Sequence, residues 1–191
     1  MSETSDWRTR RWEATHRRIF ATALDLFQDF GYEQVSVNQI AKRSGISVPT
    51  FYAHYPSKEH LLMGLPTQEV VDALLAGQPE DLPLDERVRR ALLSFLAGFP
   101  PEQLEEILAR WRVVAATPAL RIRAAEFERA TAVMFLASAT SSSGAAPGTA
   151  DVVRIGAVLV AYTAGVLHWA EGNGEPDVVK AVDEAFRALS D

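Results

Sequence analysis

Between residues 36 and 58 the chain concentrates hydroxyl, imidazole and basic side chains, which together are suited to binding an anion. Lys42 and Arg43 are adjacent cations, and Lys58 begins a predicted helix. The first N–H groups of a helix and its dipole favour a negative charge, and an ammonium group adds to that attraction. The positive charge of this segment therefore favours an anion nearby, although Lys42 and Arg43 equally fit a solvated helix face.

Catalytic chemistry has little support in the sequence. The 191 residues contain no cysteine, which excludes disulfides, thiol nucleophiles and thiolate metal sites. The histidines stand at positions 16, 54, 60 and 168 without paired acid or base candidates. The sequences G-x-S-x-G, H-E-x-x-H and the Walker loop do not occur. A hydrolase using His60 or His168 is thus disfavoured, and we expect no enzymatic activity, cofactor or metal site.

The elements that must position the anion-binding groups are two short helices joined by a tight turn. Ser36 is a suitable N-cap, and Gln39 completes a capping box. Gly45 ends this first helix, because glycine tolerates the left-handed backbone of a sharp turn. Ser47 caps a second, two-turn helix with Pro49 in its first turn, where a missing N–H has no cost. The pattern predicts a DNA-binding helix-turn-helix.

The segment is also similar to a known motif. The residues that carry the similarity are Gly31-Tyr32, Ser36, Ile40-Ala41, Ser44-Gly45-Ile46-Ser47, Thr50-Phe51-Tyr52, His54-Tyr55, Lys58 and Leu61. Together they resemble the N-terminal motif of the tetracycline-repressor (TetR/AcrR) family of transcriptional regulators. The rest of the chain agrees with that family in length and helical pattern only.

The resemblance implies which side chains meet DNA. Ser47, Pro49 and Thr50 stand where family members approach base edges, while Val48 and Pro49 offer only apolar contact, for instance to thymine methyl groups. Because the second helix lacks Arg, Asn and Gln, we expect specificity to depend on Thr50 and on DNA shape. Phosphate contacts are expected from Ser36, Tyr52, His54 and Lys58, with packed aromatic rings as the alternative for Tyr52 and His54.

The distribution of charge favours a nucleic-acid partner more than the net charge of −6 does. Residues 1–60 carry eight Lys/Arg and seven Asp/Glu, whereas the remainder carries eleven and eighteen. Residues 1–13 predict a loosely ordered basic arm, in which Arg8, Arg10 and Arg11 either reach the minor groove or serve a solubilising tail. No apolar signal sequence is present, and we expect a cytoplasmic protein.

Helical periodicity continues along the chain and predicts an all-α fold of nine to ten helices. A helix-turn-helix domain over 14–62 precedes a ligand-binding and dimerisation bundle over 63–191, and the first helix spans 14–30. A connecting helix over 57–76 meets Pro66, where we expect a kink or a break, although the family normally has an uninterrupted helix here. The remaining predictions are helices over 85–97, 102–116, 118–138, 150–171 and 176–189, and a flexible loop over 140–149.

Residues 152–170 are apolar almost all round, which is typical of a helix covered on both sides. Small residues allow a close helix approach, and the family resemblance implies a four-helix dimer interface. The predicted interface residues are Ala157, Ala161, Ala164, Val178, Val182 and Phe186. Core of a single chain and, far less, a membrane span are the alternatives.

The resemblance further implies a small-molecule pocket in the bundle. The side chains available to line it are Phe95, Phe99, Trp111, Phe127, Phe135 and Tyr162, which equally fit a plain core. A hydrophobic or amphipathic effector that prefers one conformation would weaken DNA binding by population shift, with Pro66 as a hinge.

The family resemblance therefore implies a ligand-responsive transcriptional regulator, most simply a repressor, which binds a near-palindromic double-stranded operator as a homodimer and is released by a small hydrophobic molecule. The alternative is a DNA-binding architectural or partner-controlled regulator without an inducer.

Overall fold

The computed structural model describes residues 3–144 and 146–189, and within these residues all regular structure is helical. Nine α-helices and one short 3₁₀ helix follow one another in this described part of the chain. They form two compact units that divide between Met63 and Gly64. The prediction of an all-α fold with nine to ten helices is confirmed.

The first unit contains three α-helices and the 3₁₀ helix. Their bounds are α1 (Glu3–Phe30), α2 (Val37–Arg43), α3 (Val48–His54) and the 3₁₀ helix Glu59–Leu61. Ser36 and Gln39 form the predicted capping box at the start of α2. The turn from α2 to α3 passes through Gly45 at φ +66°, in the left-handed region that glycine tolerates. Local sequence signals thus determine where α2 begins and where the turn after it lies.

Helix α1 begins about eleven residues earlier than predicted, so the described part of the N-terminal segment is not a loose arm. Residues 3–13 lack glycine and proline, which leaves nothing to stop the helix. Contacts also hold the extension: the Trp12 ring stacks on His16 and on His54, both at 4.8 Å. Residues 1 and 2 of the predicted arm lie outside the described residues.

The second unit is a bundle of six helices. They are α4 (Gln68–Ala76), α5 (Leu84–Ala97), α6 (Pro101–Ala116), α7 (Pro118–Ser143), α8 (Thr149–Glu171) and α9 (Val178–Arg187). The central element is α8, which packs against α5, α6, α7 and α9.

The predicted connecting helix over 57–76 is broken rather than kinked. Only Glu59–Leu61 form a 3₁₀ turn, and α4 begins anew after Thr67, whose side chain accepts a hydrogen bond from Val70 N–H. Pro66 biases the preceding residue away from the helical backbone, and Gly64 adds flexibility. Ser57 does not cap an α-helix, because its hydroxyl bonds the side chains of Glu59 and His60 instead.

The polar stretch after residue 138, predicted as a loop, continues α7 as far as Ser143. Its hydroxyl groups donate to carbonyl oxygens four residues earlier, as Thr140 does to Leu136 and Ser141 does to Ala137. Bonding within the helix removes the competition that usually makes such residues loop formers. Gly144, at φ +70°, ends the helix in the left-handed conformation. Ala145 of the predicted loop lies outside the described residues.

Helix α8 is long and apolar enough to span a membrane by length and composition, but one side of it lies in the core of the bundle. Ile155, Val158 and Trp169 belong to that core. On another side Val153 and Val160 remain 65% and 56% exposed. One apolar side of α8 therefore packs within its own chain, and another apolar side is exposed.

Gly165 lets α8 and α9 approach closely. A Cβ atom at this position would lie 2.6 Å from Val182 Cα and 3.0 Å from the Ala181 carbonyl oxygen. Both of those are backbone atoms, which cannot rotate away. A side chain at Gly165 therefore requires the two helices to separate.

We expect Gly165→Ala to lower the free energy of unfolding by about 1–3 kcal/mol, since overpacking moves backbone. Gly156→Ala is the matched control on the same helix, because a Cβ there meets nothing within 4 Å. This control should be neutral or gain up to about 1 kcal/mol from helix propensity. Urea unfolding at one fixed protomer concentration measures both, and equal stability of the two variants would contradict the close-approach argument.

Candidate nucleic-acid interface

Helix α3 turns one face into the first unit and the other outwards. Phe51 is fully buried, whereas Ser47, Pro49 and Ala53 are exposed and the Tyr52 side chain is 52% exposed. The remaining predicted contacts, Val48, Thr50 and His54, are half-buried. All residues predicted to approach base edges therefore lie on or beside one accessible surface.

The start of α3 combines capping with exposed hydroxyl groups. The Ser47 Oγ atom accepts from Thr50 N–H at 3.1 Å and lies 2.7 Å from Thr50 Oγ1. Each hydroxyl oxygen keeps further hydrogen-bonding capacity towards solvent, because a hydroxyl group has one donor and two acceptor sites. Pro49 occupies the first turn and fixes the backbone next to them.

The other predicted phosphate contacts on α2 are accessible. Ser36, Lys42 and Arg43 are exposed, and Ser36 Oγ accepts from Gln39 N–H at the start of the helix. Lys42 and Arg43 lie in the last turn, where a cation also complements the helix dipole. These two cations are available to an anion from outside.

A stack of aromatic rings joins α3 to α1. His16 lies 4.2 Å from Tyr55, ring centroid to ring centroid, and Trp12 stacks on both His16 and His54. The Tyr55 hydroxyl donates to the His16 carbonyl oxygen at 3.2 Å. Burial lowers the pKa of His54, which favours the uncharged ring in the free protein.

The Lys58 ammonium group, predicted to meet phosphate, forms hydrogen bonds within the first unit. Its Nζ atom donates to the carbonyl oxygens of Tyr32 and Val35, each at 2.8 Å, and lies 3.9 Å from the centroid of the Tyr32 ring. Burial lowers the pKa of Lys58, although the nearby Glu59 and Glu33 carboxylates act in the opposite direction. The ammonium group is therefore directed into the first unit, where it ties the 3₁₀ turn to the loop before α2.

An open groove that the sequence interpretation missed separates the first turns of α1 from the turn before α3. This α1–α3 groove has a volume of about 610 Å³. The α1 side chains on its wall include Arg8, Arg11 and Arg18, which recur at helical spacing. The spacing is visible in the sequence, but only if α1 is taken to begin before residue 8.

A second cluster invites comparison with a catalytic triad and does not match one. Ser57 Oγ lies 2.9 Å from His60 Nδ1 and 2.5 Å from Glu59 Oε2, so the carboxylate bonds the hydroxyl rather than orienting the imidazole. Among the described residues no group of three His, Asp or Glu side chains is placed to hold a metal ion.

Two family models match this chain. Residues 19–64 match the model described as bacterial regulatory proteins of the tetR family. Residues 82–191 match the MftR C-terminal domain, and this second match alone covers more than half of the chain.

The chain belongs to the TetR family of transcriptional regulators.

Curated relatives and solved structures agree with that assignment. The chain is 36% identical over 85 residues to the HTH-type transcriptional regulator EthR of Mycolicibacterium smegmatis, a match that spans 42% of this chain and 39% of EthR. YuxN of Bacillus subtilis, another HTH-type regulator, is 49% identical over 47 residues, or 25% of this chain and 16% of YuxN. Both relatives are named as HTH-type transcriptional regulators, and the TetR family consists of DNA-binding regulators, which agrees with the prediction that the chain is not an enzyme.

The fold extends over most of the chain. The crystal structure of NalD from Pseudomonas aeruginosa superposes with a TM-score of 0.58 at 21% identity, covering 92% of this chain and 96% of NalD. FadR from Bacillus halodurans gives a TM-score of 0.52 at 17% identity, covering 92% of this chain and 94% of FadR. At such identities the similarity establishes the TetR-family fold.

The predicted dimer residues fall into two groups in this TetR-family chain. Ala161, Val178, Val182 and Phe186 are at most 7% exposed, because they pack α8 and α9 into the core of their own chain. They are not available to a partner without repacking, which corrects the prediction. Ala164 is exposed and Ala157 is half-buried.

The predicted pocket residues also divide. Phe135 is 1% exposed and forms part of the core, and Phe99, Trp111 and Tyr162 pack against that core while half-buried. Two further rings of the prediction are half-buried Phe95, edge-on to Phe99 at 4.7 Å, and half-buried Phe127. The groove described in this unit is a different one of about 340 Å³ between α5 and α9, lined by Glu86, Arg89, Arg90, Leu93, Asp183, Phe186 and Arg187.

Lys58→Met should destabilise the first unit by about 1–3 kcal/mol, because two carbonyl oxygens are deprived of a charged donor. Lys42→Met removes the same charge from an exposed side chain and should leave the free energy of unfolding within about 0.5 kcal/mol of the wild type. Chemical unfolding followed by tryptophan fluorescence reports on the first unit through Trp7 and Trp12. If the two variants are equally stable, the internal role of Lys58 is refuted.

Proposed function

We propose that this TetR-family regulator binds a near-palindromic DNA operator as a homodimer and that a small apolar molecule weakens this binding. The observation that carries the DNA part is the orientation of α3: Phe51 is buried while Thr50 and Tyr52 remain accessible on the outer side. An α-helix fits the major groove, where base edges distinguish all four base pairs. Ser47, Pro49 and Thr50 are the proposed base contacts, with apolar contact from Val48.

The proposed phosphate contacts are side chains that remain exposed or partly exposed. Tyr52 offers a hydroxyl group, His54 an uncharged ring, and Lys42 and Arg43 offer positive charge. Ser36 contributes through the start of α2, where backbone N–H groups favour an anion. Lys58 acts indirectly in this proposal, since its bonds to Tyr32 and Val35 position the loop before α2.

Dimerisation is supported by the outer face of α8. Val153, Ala157, Val160 and Ala164 recur at helical spacing, and both valines are more than half exposed. A run of this kind without charges, on a helix whose other side is already packed, is suited to a second copy of the same helix across a two-fold axis. TetR-family regulators are typically dimeric, and a two-turn α3 needs a second half-site for affinity.

Ligand response is supported by the surroundings of Tyr162. Burial raises the pKa of its hydroxyl group to about 12. The half-buried side chains of Tyr162, Trp111 and Met134 all pack against the core, and a hydroxyl group in such surroundings suits an amphipathic ligand that supplies one acceptor. Repression released by such a ligand is the regulatory mode typical of the family, and a cytoplasmic location follows from the proposed DNA target.

Selection from a random double-stranded library tests the DNA proposal. Wild-type protein should enrich an inverted repeat whose half-site centres lie about 34–36 Å apart, or a multiple of that spacing.

Val160→Glu should be monomeric by analytical ultracentrifugation and bind the enriched duplex far more weakly, since a dimer of this variant would bury the Glu carboxylate. Gln103→Glu makes an equal change of charge at an exposed position of α6, and this variant should remain dimeric. Failure of the wild type to enrich any sequence would refute specific operator binding, and a dimeric Val160→Glu would refute the α8 interface.

Tyr162→Phe tests the pocket with a medium-chain fatty acid as the probe. The acid should raise the melting temperature of the wild type and release the enriched duplex. Removal of one hydrogen bond should weaken the binding of the acid by about 0.5–1.5 kcal/mol in Tyr162→Phe, without changing DNA affinity in its absence. Phe95→Leu, at a ring that touches Phe99, serves as the comparison for a smaller apolar side chain. An identical response of wild type and Tyr162→Phe would exclude the hydroxyl group from the ligand site.

A further inference from the structure

We infer that the α1–α3 groove holds the sugar–phosphate strand that borders the major groove entered by α3, with Arg8, Arg11 and Arg18 as its phosphate contacts. This inference rests on the proposed function and adds a second DNA-contact element to it. That element is the side of a rigid helix rather than a flexible arm.

The first argument is the chemistry of the wall. Arg8, Arg11 and Arg18 are three cations, and no carboxylate occurs among the described residues that line the α1–α3 groove. Arginine is the side chain best matched to phosphate, because its planar guanidinium group donates two parallel hydrogen bonds. This wall is therefore locally positive and suited to binding an anion, although the chain as a whole carries a net charge of −6.

The second argument is the register of α1. Residues 8, 11, 15 and 18 follow spacings of three and four, so they lie along one side of the helix and project together. Arg17 lies outside the groove, and its Nη1 atom is 3.9 Å from the Glu13 carboxylate. The helix thus separates groove-lining arginines from a paired one.

The third argument is what lies on the opposite wall. Ser47 and Thr50, which are proposed to approach base edges, form part of that wall. An α-helix of about 10–12 Å diameter fills the major groove, which is about 12 Å wide. Side chains that project beside the inserted helix therefore meet the sugar–phosphate backbone rather than base edges. The arginine row of α1 occupies such a position.

The fourth argument is that the wall is already ordered. Trp12 stacks on His16 and His54, and the Arg11 guanidinium lies 5.3 Å from the centroid of the Trp7 ring. The contact between Trp12 and His54 joins this part of α1 to α3, whereas the other two contacts order side chains within α1. Binding the strand then costs less ordering entropy than it would for a disordered basic arm.

The salt dependence of binding to the enriched duplex tests this inference. The triple variant Arg8→Ala/Arg11→Ala/Arg18→Ala should reduce the slope of log affinity against log salt by about 0.9 for each phosphate that is no longer bound. Arg18→Ala alone should reduce it, whereas the neighbouring Arg17→Ala should leave it unchanged. Fluorescence anisotropy over a potassium chloride series gives the slopes, and circular dichroism melting shows that each variant is folded.

Tryptophan quenching gives an independent readout. Trp7 and Trp12 line the groove and are 57% and 50% exposed, so the duplex should protect them from acrylamide in the wild type. Trp111 and Trp169 lie in the second unit, so the duplex should not change their quenching. Trp7→Phe should remove the part of the protected signal that comes from Trp7.

The two proposals fail separately. A wild type that binds no duplex refutes the proposed function itself. A wild type that binds, together with a triple variant of unchanged slope, refutes the groove alone. Equal effects of Arg17→Ala and Arg18→Ala would indicate a general electrostatic field, which also refutes a specific contact in the groove.

Discussion

The burial of one ring, Phe51, determines what this protein can present to DNA. Helix α3 has only seven residues, and a helix of that length is not stable by itself in water. Phe51 is fully buried and lies 5.5 Å from Tyr52 and 6.0 Å from Tyr55, ring centroid to ring centroid. Because helical side chains project at fixed angles, burying position 51 turns positions 49 and 53 to the opposite side and leaves positions 50 and 52 between the two faces. The outward face is thus a consequence of the inward one.

The supports of α3 also connect it to the basic side of α1. Tyr55 is held by stacking on His16 and by its hydrogen bond to the His16 carbonyl oxygen, and His54 is covered by Trp12. The same rings that stabilise α3 therefore place the first turns of α1 beside it. Stability of the first unit and the shape of its surface have a common cause, so a change in this stack is expected to affect both.

In the second unit, helix α8 shows how one apolar sequence can serve two surfaces. Gly165 brings the backbones of α8 and α9 into contact, and Ile155 and Val158 fill the core. Val153 and Val160 point away from that core and are exposed. Helix α9 differs, because its buried side chains are used within the chain and its other side is charged. The dimer interface, which the sequence predicted on both α8 and α9, is consequently proposed on α8 alone.

The sequence by itself determined the elements whose cause is local. Ser36 with Gln39, Ser47 with Pro49, and glycine at position 45 act on neighbours within four residues, so the helix-turn-helix was predictable residue by residue. Tertiary structure decided whatever depends on distant groups. The bonds of Lys58 reach 23 and 26 residues back, Trp12 stacks on a ring at position 54, and Val182 is buried by a glycine on another helix. Periodicity identifies apolar and basic faces, but only packing decides which partner covers them. The reason is that the free energy gained by burying a face depends on the surface that packs against it.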